Sequence, residues 1–112
     1  MEQKVCLLTD ICDGQGKAFS LNDNTSFFIV RQGLEAFAYI NRCPHAGVEL
    51  QWQADQFMSL DGSQIQCALH GALFNIQNGL CTWGPCQGRQ LQPFPISIRD
   101  GWIIREDNNH EI

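Results

Sequence analysis

The sequence predicts an all-β protein built from short antiparallel strands. Ten glycines and four prolines interrupt its apolar segments, and helical periodicity is weak throughout. Two pairs of alternating segments are joined by glycine-containing turns, which is the pattern of β-hairpins. The chain has 112 residues, of which 44% are hydrophobic, so we expect a single domain over residues 1–112.

The first half of the chain predicts two strands followed by a hairpin. The strands are expected over Val5–Leu8 and Ala18–Leu21. The hairpin joins Ser26–Arg31 to Glu35–Ile40 through a turn at Gln32-Gly33.

A second hairpin is predicted near the C-terminal end. Phe94–Arg99 leads through an Asp100-Gly101 turn into Trp102–Arg105, and Asp-Gly between alternating strands is a strong hairpin signal. Apolar and other residues alternate along the first strand, which predicts one buried face formed by Phe94, Ile96 and Ile98.

The region between the hairpins, from about 41 to 92, has a different composition. It contains four of the six cysteines and two of the three histidines, with short strands expected at Gln64–Gln66 and Ala72–Asn75. This distribution predicts a small site-bearing subdomain inserted into an outer β-barrel or sandwich, because functional loops are commonly held on a rigid frame.

Charge and hydropathy exclude several classes of function. Twelve acidic and seven basic residues give a net charge of -5, which argues against binding to nucleic acid or to an anionic membrane surface. No stretch approaches the roughly 20 apolar residues of a membrane span. We expect a cytoplasmic monomer, in which six cysteines indicate metal binding better than disulfides.

Two loops have the composition of a metal site. They read Cys43-Pro44-His45-Ala46-Gly47 and Cys67-Ala68-Leu69-His70-Gly71, so each offers one thiolate, one imidazole and a following glycine. Three interpretations are open: buried cysteines with satisfied histidines, a structural zinc site, or a two-iron, two-sulfide cluster. Zinc fingers usually pair cysteine with cysteine and histidine with histidine at close range, whereas each loop here mixes the two.

The paired motif, C-x-H followed about twenty residues later by C-x-x-H, resembles that of Rieske proteins, and the resemblance extends over nearly the whole chain. It implies three antiparallel sheets with a [2Fe-2S] cluster at the tip of the inserted subdomain. Cys43 and Cys67 would bind the buried iron, and His45 and His70 the outer iron. A third loop containing Gly84-Pro85 would cover the cluster.

Differences from the high-potential Rieske proteins indicate which members of the family the chain resembles. In those proteins one further cysteine in each loop forms a disulfide between the two loops. Here these positions are Val48 and Leu69, so this disulfide cannot form. Their serine and tyrosine hydroxyls donate hydrogen bonds to the cluster sulfurs, and here Ala72 and Phe74 stand instead. The chain therefore resembles the soluble, low-potential Rieske ferredoxins that pass electrons to oxygenases.

This resemblance implies a one-electron carrier between a flavin-dependent reductase and a terminal oxygenase. The expected docking face is the tip formed by Pro44, His45, Leu69, His70 and Pro85. The net charge of -5 suggests a partner with a positive docking patch. The alternatives are a redox-sensing regulatory module and a structural zinc module. Catalysis of substrate oxidation is not expected, because only His110 remains for a second iron site.

The remaining cysteines and one tryptophan have weaker interpretations. Cys6 and Cys12 are expected to be small buried hydrophobes. Cys81 and Cys86 are expected to be packed thiols, with a disulfide as the alternative. Trp83 either packs over the cluster loops or lies in the core.

Overall fold

Short strands dominate the computed structural model, which describes residues 3–22, 25–42, 44, 57–59, 61–67, 71–84 and 88–106. The described residues form nine strands and one turn of 3-10 helix, Leu8–Asp10. The strands are β1 (Gln3–Leu7), β2 (Gly16–Asn22), β3 (Thr25–Gln32), β4 (Glu35–Ile40), β5 (Ile65–Gln66), β6 (Leu73–Phe74), β7 (Cys81–Trp83), β8 (Ile96–Arg99) and β9 (Trp102–Arg105).

The strands pair into three antiparallel sheets of three strands each. Their orders are β1-β9-β8, β2-β3-β4 and β5-β6-β7. The first sheet joins the two ends of the chain, and the third lies wholly within the region predicted to bear the site. The prediction of an all-β fold with three antiparallel sheets is therefore confirmed.

Strand β3 is buried on both faces and separates two hydrophobic cores. Phe27 and Ile29 point to one side, while Phe28 and Val30 point to the other, as the two-residue period of a strand requires. We call the first the base core; its buried members are Cys6, Leu8, Ile11, Phe27, Ile29, Ala38, Phe94 and Ile103. We call the second the loop-side core; its buried members are Phe28, Val30, Tyr39, Phe57, Ile65, Cys67, Ala72, Phe74, Ile76, Cys81 and Leu91.

Both predicted hairpins form, with one shift of a turn. Gln32 pairs with Glu35, so the first turn contains Gly33 and Leu34 rather than Gln32 and Gly33. Gly33 has a φ of 63° there, a conformation that glycine adopts without steric cost. In the second hairpin, Asp100 and Gly101 have φ values of 53° and 81°. Two central residues with positive φ are what a tight type I′ hairpin turn requires.

Several local predictions differ from the structure. Leu8 begins the 3-10 turn instead of continuing β1, because the Asp10 carboxylate accepts a hydrogen bond from the Leu7 N–H at 3.0 Å. Cys6 is buried as predicted, but Cys12 is exposed in the loop before β2. Ile98 is exposed because β8 is an edge strand and Ile98 lies at its hairpin end.

No helix in the described ranges is long and apolar enough to cross a membrane.

Candidate functional site

Of the four predicted ligands, Cys67 lies within the described residues. It follows β5 and has no solvent-exposed surface, and it belongs to the loop-side core. Its N–H donates to the Ala72 carbonyl at 2.8 Å, which closes the second motif loop at its base. A thiol buried at the root of a short loop fits the inner ligand of a metal cluster. Cys43, His45 and His70 lie outside the described residues.

The first motif loop leaves the second sheet at a fixed point. Asn41 is 5% exposed, and its N–H donates to the Ser26 carbonyl at 2.8 Å while its amide Nδ2 donates to Ser26 Oγ at 3.1 Å. These bonds tie the end of β4 to the start of β3. The side chain of Arg42, the residue before Cys43, is exposed.

Gly71 ends the second motif loop with a φ of 67°, a left-handed conformation that favours glycine. A Cβ built at this position would lie 3.6 Å from Gln66 Nε2 and 4.0 Å from Trp83 Cζ3. The glycine after His70 therefore sits in a slot between an amide and an indole ring.

Trp83 has 59% of its surface exposed and is not a core residue. The sequence left two interpretations of Trp83, packing over the cluster loops or a place in the core. The structure supports the first, because the indole ring lies beside Gly71 of the second motif loop. The Cys81 thiol, two residues earlier, is buried and donates to the Trp83 carbonyl at 3.4 Å. Cys86 lies outside the described residues, so the thiol prediction for this pair remains a prediction.

The segment from Leu80 to Gln90 is a third loop whose two arms run antiparallel. Leu80 pairs with Gln90, and the Cys81 N–H donates to the Arg89 carbonyl at 2.9 Å. One arm meets the second motif loop, because a Cβ at Gly84 would lie 2.9 Å from Ala72 Cα and 3.0 Å from Ala72 Cβ. Only a glycine permits so close an approach.

The other arm of the third loop meets the first motif loop. The Arg89 guanidinium donates from Nη1 to the Pro44 carbonyl at 2.9 Å, and Pro44 lies between the predicted ligands Cys43 and His45. The third loop thus contacts both motif loops, one with each arm.

Ala72 and Phe74 lie in the same core as Cys67, with 1% and 0% of their surfaces exposed. Their side chains carry no hydroxyl. Ala72 and Phe74, which replace the hydroxyl donors of the high-potential proteins, therefore lie in the same buried apolar core as the Cys67 thiol.

Sequence reasoning missed Arg89, Asn41 and Gln66 as parts of the site. Arg89 and Pro44 are 45 positions apart, and no local pattern signals such a contact. Within the described residues no group of three or more histidine, cysteine or acidic side chains lies together. The donor set offered by the two motif loops, two thiolates and two imidazoles, has the chemistry that an iron–sulfide cluster with mixed ligands requires.

Comparison with known proteins gives consistent matches. The family model described as "Rieske [2Fe-2S] domain" matches residues 1–95. The chain is 25% identical over 108 residues to the ferredoxin component of the p-cumate 2,3-dioxygenase system of Pseudomonas putida, covering 96% of this chain and 87% of that protein.

Two solved structures have the same fold. The ferredoxin of Sphingomonas yanoikuyae B1 superposes with a TM-score of 0.76 at 25% identity, covering 96% of this chain and 99% of that one. A complex of reduced oxygenase and oxidized ferredoxin in carbazole 1,9a-dioxygenase contains a chain that matches with a TM-score of 0.76 at 25% identity, covering 93% and 91%.

Proposed function

The chain belongs to the Rieske [2Fe-2S] domain family, and from that premise we propose that it is the ferredoxin component of an oxygenase system. In this role it carries single electrons and catalyses no reaction of its own. The similarity to ferredoxin components of dioxygenase systems supports this, because it covers almost the full length of both chains.

We propose that Cys43 and Cys67 bind one iron through their thiolates and that His45 and His70 bind the other through imidazole nitrogens. The burial of Cys67 at the closed base of its loop is the observation that carries this assignment. The proposed site belongs to a subdomain spanning about 41–92 within a single domain of residues 1–112.

A bound [2Fe-2S] cluster takes up and releases one electron, and histidine ligation raises its potential to about -150 to +300 mV. Formal charges explain why this potential is higher than that of a cluster bound by four cysteines. Two ferric ions, two sulfides and two thiolates sum to zero, whereas four thiolates give a dianion, which is harder to reduce. The side chains of Ala72 and Phe74 have no hydroxyl to donate a hydrogen bond to the cluster sulfurs, which favours the low end of the range.

The other residues of the site hold the ligand loops in place. Cys67 N–H and the Ala72 carbonyl close the second loop, and Gly84 packs against Ala72 from the third loop. Arg89 holds the first loop through the Pro44 carbonyl. A fixed environment of this kind keeps the ligand geometry similar in both redox states, so little reorganisation accompanies each electron transfer.

The proposed partners are a flavin-dependent reductase as donor and a terminal oxygenase as acceptor. Support for the acceptor comes from the solved complex in which a similar ferredoxin is paired with its oxygenase. Docking would use the tip around His45 and His70 with Pro44, and the exposed indole of Trp83 beside Gly71 extends this face. We propose a monomer that docks transiently on its partners through a small interface, as electron-transfer complexes do, and a cytoplasmic location, where thiol ligands stay reduced.

Metal and sulfide analysis of the purified protein tests the proposal. We expect about two irons and two acid-labile sulfides per chain and a Rieske-type paramagnetic signal after reduction. Cys67→Ser should lose the cluster, whereas the matched controls Cys6→Ser and Cys12→Ser should keep the visible spectrum. Stoichiometric zinc without sulfide, in protein produced with ample iron, would overturn the proposal.

A further inference from the structure

Arg89 contacts the first motif loop at a point between two proposed ligands. Its guanidinium donates from Nη1 to the Pro44 carbonyl at 2.9 Å, and Pro44 is the residue between Cys43 and His45. Successive Cα atoms of a chain are about 3.8 Å apart. The guanidinium charge is therefore held close to the backbone that carries both of these ligands.

The backbone around Arg89 is fixed to the opposite arm of the third loop. The Arg89 carbonyl accepts a hydrogen bond from the Cys81 N–H at 2.9 Å, and the Leu91 N–H donates to the Gly79 carbonyl at 2.9 Å. Leu91 is 1% exposed and belongs to the loop-side core. The exposed side chain of Arg89 thus reaches Pro44 from a backbone that is anchored in the core nearby.

A fixed positive charge beside a cluster affects how readily the cluster takes up an electron. Reduction adds one negative charge, and a cation nearby favours the state that carries it, so the reduction potential rises. An arginine keeps its charge over the whole pH range in which proteins are studied. Removal of this one charge has a defined direction, because every other charge of the chain is the same in the two proteins that are compared.

We propose that Arg89 raises the reduction potential of the cluster through its positive charge, while its hydrogen bond holds the first motif loop at Pro44. The inference rests on the proposed function, since it needs a cluster bound beside Pro44. Arg89 is a positioning residue, because its contact is with the carbonyl of the ligand loop. Its contribution differs in kind from that of a hydroxyl donor, which the side chains of Ala72 and Phe74 do not supply.

Voltammetry of the purified holoproteins compares the wild type with Arg89→Gln, which keeps an N–H donor and removes the charge. A unit charge roughly 10 Å away in largely aqueous surroundings changes such an equilibrium about threefold. We therefore expect reduction of Arg89→Gln to be about threefold less favourable at about 0.01 M salt, which corresponds to a potential about 30 mV lower. At about 1 M salt the Debye length is about 3 Å, so the difference should nearly vanish.

Two further variants separate the charge of Arg89 from its shape and from the net charge. Arg89→Lys keeps the charge without the planar guanidinium and should retain the wild-type potential. Arg99→Gln removes the same charge from an exposed position at the end of β8 and should leave the potential unchanged. This control lies beside the base core, because the Leu8 N–H donates to the carbonyl of Gly101 in the adjoining turn.

Equal potentials of the wild type and Arg89→Gln at low salt would overturn the inference. A potential of Arg89→Lys as low as that of Arg89→Gln, or a difference that persists at high salt, would also overturn it, because either result assigns the shift to loop geometry. An equal shift in Arg99→Gln would assign it to the net charge, with the same consequence. Failure of the proposed function looks different: the wild type itself then contains no iron and sulfide and gives no voltammetric wave.

Discussion

The contact between Gly84 and Ala72 makes a specific prediction about how the third loop supports the ligand loop. In Gly84→Ala, the new Cβ would lie 2.9 Å from Ala72 Cα, a backbone atom that cannot move without moving the loop it belongs to. The Ala72 carbonyl accepts the hydrogen bond from Cys67, so the displacement is transmitted to a proposed ligand. We expect lower stability and faster loss of the cluster.

The magnitude follows from two separable costs. Gly84 has a φ of 111°, and placing an L-residue in such a conformation costs about 1–3 kcal/mol. Overpacking against Ala72 adds about 1–3 kcal/mol. Gly88→Ala is the matched control, because Gly88 has a φ of 91° in the same loop but nothing lies within 4 Å of its would-be Cβ.

Thermal unfolding of the two holoproteins, followed by circular dichroism, measures the difference. The backbone costs are similar, so the contact with Ala72 should appear as a midpoint for Gly84→Ala about 4–12 °C below that of Gly88→Ala, at roughly 4 °C per kcal/mol for a domain of this size. The decay of visible absorbance in air should be faster for Gly84→Ala. Equal midpoints for the two variants would refute the reasoning.

The remaining predictions concern residues of the loop-side core. Voltammetry should give a wild-type potential of about -150 mV. Ala72→Ser and Phe74→Tyr should each raise this potential by about 60 mV, if the new hydrogen bond favours the reduced cluster over the oxidised one by about 1.4 kcal/mol. An unchanged potential in variants whose structures show the hydroxyls at the cluster sulfurs would contradict this account. Burial raises the pKa of Tyr39, the single tyrosine, to about 12, so its phenolate absorbance should appear near pH 12 in the folded protein. The unfolded chain loses the Tyr39 proton near pH 10. The unfolding free energy of the wild type, relative to that of Tyr39→Phe, should therefore fall as the pH rises from about 10 to about 12. A difference between the two unfolding free energies that does not change with pH would contradict the raised pKa of Tyr39. At neutral pH, Tyr39→Phe should cost about 1–3 kcal/mol in urea unfolding, because the 2.6 Å bond to the buried Ile76 carbonyl is lost; an unchanged unfolding free energy would show that the carbonyl finds another donor.

The elements that the sequence predicted well are those whose signals are local. Asp100-Gly101 specifies a tight turn by itself, and alternating residues on either side define β8 and β9. Glu35–Ile40 matches β4 to the residue. Strand β7 was missed because it has three residues and ends in an exposed Trp83, so it shows no alternation to detect.

The motif loops illustrate the same limit for the site. The paired cysteine and histidine motif and its resemblance to Rieske proteins give a predicted ligand set that stays a prediction, and the family match supports the cofactor. The supports of those loops were not predictable, because Arg89 reaches Pro44 and Gly84 reaches Ala72 across separate segments of the chain. Similarly, the exposure of Ile98 depends on the position of β8 at a sheet edge, which alternation along one strand does not reveal.

The burial of β3 on both faces has a consequence for how the molecule opens. Phe28 and Val30 cannot leave the loop-side core while Phe27 and Ile29 stay in the base core, because the four side chains share one continuous backbone. Fluctuations that expose the loop-side core must therefore either stop short of β3 or open the whole domain. The amide protons of β3 should consequently exchange with solvent only through global unfolding, and should be the slowest in the chain.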